Sequence, residues 1–129
     1  MTMMTEKRLE MCQKVSKETY KNFYQTFENS VKKQMTKDWG EAPGKIMFHN
    51  DGLLVPGTMD GNVFITVQAP RGYGMDPDKV YHDPLVAPTH QYIAFYEWIR
   101  DVWKADAVIH VGTHGNLSLI HISEPTRLL

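Results

Sequence analysis

Two histidines that lie close together in the sequence are the residues best suited to chemistry. His110 and His114 stand in the segment 110–115 (HVGTHG), which follows an apolar run. Imidazole binds borderline divalent metals and exchanges protons near neutral pH, and the two glycines allow a ligand to approach the backbone closely. The alternative is that His110 is a hydrogen-bonded core residue and His114 a surface residue. The spacing alone favours that alternative, because no third ligand stands beside them.

A second polar group is expected where a predicted strand ends at Gln68. The segment 68–74 (QAPRGYG) places Arg71 and Gly72 in a loop rich in proline and glycine. A guanidinium in such a loop can bind a carboxylate or a phosphate through two parallel hydrogen bonds. The alternative is an exposed arginine in a structural turn.

A third group lies in the proline-rich stretch that follows. In Tyr81-His82-Asp83 an imidazole stands beside a carboxylate, which can orient the ring and make it more basic. A further imidazole, His90, follows Thr89. The alternative is that Asp83 and Thr89 act only as turn or cap residues.

The elements that position these residues follow from the spacing of apolar side chains. Apolar residues recur at steps of three to five over residues 6–37, which predicts one long helix that ends at Trp39-Gly40. Short strands are predicted over 45–49 and 53–55. The Asn50-Asp51-Gly52 segment between them has the composition of a tight hairpin turn.

The second half of the chain predicts a parallel strand–helix–strand crossover unit. Residues 62–68 (NVFITVQ) are apolar on both faces, as in a buried strand, and a loop over 69–88 follows. A helix is predicted over 89–104, and a second buried strand over 107–111. Such a unit is right-handed by strong default, and ligands bind at the carboxyl ends of its strands. The sequence therefore predicts an α/β fold whose polar segments meet at one edge of a sheet.

Composition excludes several classes of function. The chain of 129 residues carries 14 basic and 15 acidic residues, and the net charge of -1 gives no support to nucleic-acid binding. It contains no apolar run of the roughly 18 residues that a membrane span needs, and no secretory signal. The single cysteine, Cys12, excludes an internal disulfide and favours a reducing, cytoplasmic setting. No phosphate-binding glycine loop is present, so no ATP site is expected.

The last residues differ in character from the rest. Residues 117–127 (LSLIHISEPTR) match the translation of a transposase adapter used to prepare sequencing libraries. We therefore expect a native segment over 1–116 and a tail over 117–129 that derives from the adapter and has no functional role.

Six segments together carry a family resemblance: 39–44 (WGEAPG), 61–65 (GNVFI), 68–72 (QAPRG), 81–84 (YHDP), 92–96 (YIAFY) and 105–115 (ADAVIHVGTHG). In order and spacing they resemble the large subunit of cobaltochelatase and the related magnesium chelatase H subunit. The resemblance covers about residues 30–116. In the family the last motif continues with Glu-Trp-Leu-Pro-Gly, whereas Ser118 and Leu119 stand here in place of the first two.

The resemblance implies a fragment of an enzyme subunit that binds a tetrapyrrole and inserts a divalent metal, while AAA+ partner subunits hydrolyse ATP. Cobalt is favoured over magnesium, because imidazole suits Co²⁺ better than the harder Mg²⁺. The alternatives are insertion of magnesium into protoporphyrin and binding without turnover. On this interpretation His110 and His114 are catalytic. The remaining assignments are Gln68, Arg71, Gly72, Tyr81 and His82 for substrate, and His110, His114, His82 and His90 for metal.

The family's large subunit is many times longer than this chain. Strands and helices that would cover the crossover unit are therefore expected to be missing. We expect apolar faces of the fragment to be exposed as a result.

Overall fold

The structure, a computed structural model, describes residues 12–71 and 86–112. Helices and sheets are mixed, which agrees with an α/β class at the level of the elements. The elements in chain order are β1 (Gln13–Ser16), α1 (Lys17–Tyr24), α2 (Asn29–Trp39), β2 (Phe48–His49), β3 (Gly52–Val55), β4 (Thr58–Asp60), β5 (Val63–Ile65), α3 (His90–Glu97) and a π-helical turn (Trp98–Val102).

The central element is β3, which pairs with two strands. It pairs antiparallel with β1 on one edge and with β2 on the other, in the order β1-β3-β2. All four residues of β3 are buried. Helix α3 packs against β3 and β1, so this small sheet forms one wall of the core.

The hairpin predicted around residue 51 is confirmed, but its first strand, predicted over 45–49, is only Phe48–His49. Phe48 lies opposite Leu53 across the β2–β3 pair, and the turn between the strands is Asn50-Asp51. Both turn residues have positive φ, 48° and 64°. Asn and Asp tolerate this left-handed conformation better than other non-glycine residues, which is why the local sequence predicts the turn.

The single helix predicted over residues 6–37 is wrong. The first described part of that range is β1, and Ser16 then caps α1 by accepting the backbone N–H of Thr19 at 3.1 Å. A turn separates α1 from α2. There the Thr26 hydroxyl donates to the Phe23 carbonyl at 2.6 Å and competes with continued helix bonding. Apolar spacing of three to five residues does not reveal such a break.

The strand predicted over 62–68 is shorter than expected and pairs locally. Only Val63–Ile65 is strand, and it pairs antiparallel with β4 across a turn that contains Gly61 at φ 59°. Val63, Ile65 and Val67 are 57%, 64% and 88% exposed, so the expected burial on both faces is absent. The exposure of this apolar face agrees with the expectation for a fragment.

The helix predicted over 89–104 begins as expected. Thr89 caps α3 by accepting the backbone N–H of Tyr92 at 3.1 Å. Regular α-helix ends at Glu97, and the π-helical turn continues it to Val102.

The predicted parallel crossover is not confirmed, because both sheets of the described residues are antiparallel. Val108 makes a single bridge instead of a strand, and Ile109 and Val111 are 69% and 91% exposed. A parallel pair is stable only when both of its faces are covered. The described residues supply no second layer, whereas the β4–β5 hairpin needs only a short turn.

The core lies between the small sheet, α1, α2 and α3. Its buried members are mainly aromatic and aliphatic: Val15, Tyr20, Tyr24, Met35, Leu53, Val55, Ala69, Ala87, Tyr92, Ala94, Phe95 and Trp98. Among the described residues, no helix is long and apolar enough to span a membrane.

Candidate functional site

A groove of about 820 Å³ contains two of the predicted site residues. Residues 62–68 and most of 105–112 line it, together with aromatic and aliphatic side chains of α3 and the residues after it. Gln68 and His110 are polar members of this apolar lining. Its volume is within the roughly 300–1,000 Å³ typical of small-molecule sites.

Gln68 is held in place by a buried tyrosine of α3. Its side-chain Nε2 donates to the Tyr92 hydroxyl at 3.2 Å, and that hydroxyl in turn donates to Tyr96, which lines the groove. Burial raises the pKa of Tyr92, and it raises the pKa of Tyr96 to about 12. Both phenols are therefore neutral hydrogen-bonding groups at physiological pH.

Arg71 stands at the end of the loop that leaves the groove. Its Nη2 donates to the carbonyl of Val86 at 3.2 Å. The Thr89 hydroxyl donates to the carbonyl of Pro70 at 3.2 Å. These two bonds attach the loop to the segment that leads into α3, whereas Gln68 bonds to α3 itself.

His110 lines the groove and is half-buried. Within the described part of the chain its ring nitrogens have no hydrogen-bond partner. Gly112 lies beside the ring, and a Cβ atom there would be 3.6 Å from Nε2. The assignment of His110 to metal or proton chemistry stays a prediction.

His90 lies elsewhere, in the core. Its Nε2 is 2.8 Å from the carbonyl oxygen of Gly40 and its Nδ1 is 2.8 Å from the Tyr20 hydroxyl. A carbonyl can only accept, so Nε2 carries the hydrogen and Nδ1 accepts from Tyr20. Burial lowers the pKa of His90, which keeps the ring neutral. With both nitrogens engaged, His90 has no lone pair for a metal, and we leave it out of the proposed site.

The other predicted site residues lie outside the described ranges: Gly72, Tyr81, His82 and His114. Their assignments stay predictions. In the two described ranges, no three side chains of His, Cys, Asp or Glu group together in a way that could hold a metal ion.

Sequence reasoning missed the aromatic character of the groove. Phe64, Tyr96 and Trp103 all line it, and two of them belong to the apolar stripe predicted for the second helix. Apolar spacing by itself favours core packing for every member of that stripe. The signal that could have separated these two from the core is their position in the last turns of that helix.

Glu97, at the end of α3, is a further residue that the pattern did not reveal. It is only 4% exposed, and its Oε1 has no hydrogen-bond partner in the described structure. Burial first and the nearby Asp101 second raise its pKa to about 7, while Arg100 acts in the opposite direction. Arg100 is engaged instead with Asp101, at 2.8 Å.

Comparison with known proteins identifies the class. The family described as CobN/Magnesium Chelatase matches residues 1–120. The chain is 51% identical over 104 residues to an uncharacterized protein of Methanocaldococcus jannaschii, a match that covers 81% of this chain and 8% of that protein. The chain therefore belongs to the CobN/magnesium chelatase family, and the resemblance found in the sequence is confirmed.

Relatives with assigned names include both kinds of chelatase. Identity is 48% over 79 residues with the aerobic cobaltochelatase subunit CobN of Pseudomonas aeruginosa, covering 61% of this chain and 6% of that one. It is 40% over 84 residues with the magnesium-chelatase H subunit of Cereibacter sphaeroides, covering 65% and 7%. The chain thus spans less than a tenth of the length of these relatives.

A solved structure shares the fold. The catalytic subunit of cobaltochelatase from Mycobacterium tuberculosis superposes with a TM-score of 0.71 at 34% sequence identity. The match covers 84% of this chain and 10% of that one.

Proposed function

We propose that this chain is a segment of the large subunit of a cobaltochelatase, the subunit that binds a tetrapyrrole and inserts cobalt into it. Family membership and the relatives named CobN support the class. The single observation that carries the proposal is the groove, where His110 and Gln68 share an apolar, aromatic lining. A flat macrocycle with a polar centre and polar edges suits such a lining. The metal is a substrate of this reaction.

His110 has the chemistry that insertion needs. The ion must lose water before it enters the ring, and two pyrrole N–H protons must leave. A neutral imidazole can ligate the ion or accept a proton, and His110 lines the groove that we propose for the substrate. We assign these tasks to His110 and, from the sequence motif, to His114.

We assign binding of the polar edge of the substrate to the loop after β5. We propose that Arg71 and Gln68 bind ring carboxylates or amides, with Gly72, Tyr81 and His82 contributing from the loop beyond. Arg71 suits this role because a guanidinium offers a bidentate fork to a carboxylate.

Cobalt is preferred over magnesium on ligand chemistry. Imidazole is a better ligand for Co²⁺, whereas Mg²⁺ prefers oxygen. The relative named as the H subunit of a magnesium chelatase, at 40% identity, favours magnesium as the second candidate. Ser118 and Leu119, in place of the Glu-Trp of the motif, favour a third, binding without turnover. AAA+ partner subunits that hydrolyse ATP and a cytoplasmic location complete the proposal.

Titration of the chain with deuteroporphyrin IX, a porphyrin with two carboxylates, tests substrate binding. We expect a saturable shift of the Soret band, and Arg71→Ala should weaken the affinity by about 1.5–3 kcal/mol, the range for a hydrogen bond to a charged group. Lys33→Ala, which removes an exposed cation on α2, is the matched control and should bind like the parent chain. No saturable binding to the parent chain would refute the proposed substrate site.

Addition of Co²⁺ to the porphyrin-loaded full-length subunit, with its AAA+ partners and ATP, tests the role of His110. We expect Co²⁺ to change the visible spectrum of that complex, and His110→Ala should abolish the change while porphyrin binding persists. The 129-residue chain alone should show no insertion. His49→Ala is the matched control, because His49 lies in the β2–β3 hairpin, away from the groove lining. An unchanged cobalt response in His110→Ala would show that the assignment of His110 is wrong.

A further inference from the structure

The aromatic wall of the groove begins at a departure from regular helix. After α3, the backbone N–H of Trp103 donates to the carbonyl of Trp98 at 2.8 Å, five residues back. In a regular α-helix two residues five apart point about 140° away from each other around the axis. The π-helical turn brings them to the same side instead. π-Turns within helices occur frequently at functional sites.

The result is a stacked pair of indoles. The rings of Trp98 and Trp103 lie 5.5 Å apart with an angle of 8° between their planes. Trp98 is 3% exposed and belongs to the core, whereas Trp103 is half-buried and lines the groove. The inner indole therefore supports the outer one from behind.

A third ring fixes the arrangement from the side. Phe64 lies 4.7 Å from the Trp98 ring and 6.0 Å from the Trp103 ring, measured between centroids. A Cβ atom on Gly57 would lie 2.3 Å from Cζ of Phe64, so only glycine there leaves room for the phenyl ring. Two rings at the ends of the π-helical turn and one ring of β5 thus form an aromatic wall.

We propose that Trp103 is a substrate-binding residue, a platform against which the planar face of the macrocycle stacks. This inference rests on the function proposed above and adds a residue that governs preference for flat ligands. Gln68 and His110 line the same groove, so a ring on Trp103 would have polar groups within the same cavity. Aromatic rings gain from offset stacking beyond the area that they bury.

The test compares side chains at position 103 in the 129-residue chain, again with deuteroporphyrin IX. Trp103→Leu keeps an apolar side chain but removes the ring, and we expect about tenfold weaker binding. Trp103→Phe keeps a smaller ring and should recover most of the affinity. Trp39→Phe is the control, because Trp39 lies beside His90 in a separate small cavity.

The outcomes separate a failure of the Trp103 platform from a failure of the proposed function. If the parent chain binds porphyrin and Trp103→Leu binds equally well with an unchanged melting temperature, the platform is refuted while the proposed function stands. If the parent chain binds no porphyrin, both are refuted. Equal loss in Trp103→Leu and Trp103→Phe would also overturn the platform, since a structural role predicts no rescue by a ring. Thermal melts of all variants show which of them are folded. If Trp103→Leu does not fold, the porphyrin affinity of Trp103→Phe alone decides: affinity near that of the parent chain supports the platform, and a large loss refutes it.

Discussion

The region around β3 and the region around the groove differ in how far their apolar side chains are buried. Around β3, the large apolar residues are buried, and Tyr20 and His90 satisfy each other. Around the groove, Val67 and Val111 are 88% and 91% exposed. The first region buries its large apolar side chains, whereas the second leaves several of them exposed.

Two histidines make this comparison concrete. His90 uses both ring nitrogens in bonds to described residues, and burial keeps it neutral. His110 lines the groove without such bonds. The residue type is the same in both cases. The hydrogen-bond partners of a histidine therefore indicate whether its role is structural or chemical.

The largest expected effect is the loss of His90. His90→Ala should destabilise the chain by about 3 kcal/mol, because it leaves the buried Tyr20 hydroxyl without its partner and opens a cavity. Urea denaturation followed by circular dichroism measures this change. His110→Ala should stay within about 0.5 kcal/mol of the parent chain. Similar losses in both variants would remove the distinction between the two regions.

The next effect concerns the pH dependence of the core. The folded chain holds the Glu97 proton up to a pKa of about 7, above the ordinary 4.5, so the unfolded chain releases it first as pH rises. Stability should therefore fall between about pH 4.5 and 7, by up to about 3 kcal/mol, and level off above. Glu97→Gln should remove this fall and be more stable than the parent chain at pH 8.

Denaturation at several pH values measures this fall, with Glu41→Gln as the control because Glu41 is exposed. Parallel pH profiles of the parent chain and Glu97→Gln would show that the buried carboxyl is not responsible. Such a result would also weaken the description of this region as a closed core.

The smallest expected effect is that of the tail. Removal of residues 117–129 should change the unfolding free energy by less than about 0.5 kcal/mol, because we assign this segment no native packing. It should also leave porphyrin affinity unchanged. A cooperative loss of structure, or a change in binding, would mean that the tail completes one of the two regions.

Local rules in the sequence are sufficient for several elements. The Asn50-Asp51 turn and the Thr89 cap agree with the sequence-based expectation, because positive φ and capping are decided by the residue itself and its near neighbours. The family can also be recognised from the sequence, because several short motifs occur in the order and spacing of that family. The helix over 6–37 fails, since apolar spacing cannot detect the Ser16 cap or the break at Thr26.

For the candidate site, the sequence determined which residues could act, and Gln68 and His110 do share one groove. Only the tertiary structure decided that His90 belongs to the core and that Trp103 lines the groove. The physical reason is the distance along the chain over which the deciding interactions act. A turn or a cap depends on energies within a few residues, whereas the partners of a histidine or the walls of a groove depend on segments tens of residues away. Those long-range contacts are settled by competition among all the surfaces that the chain can bury.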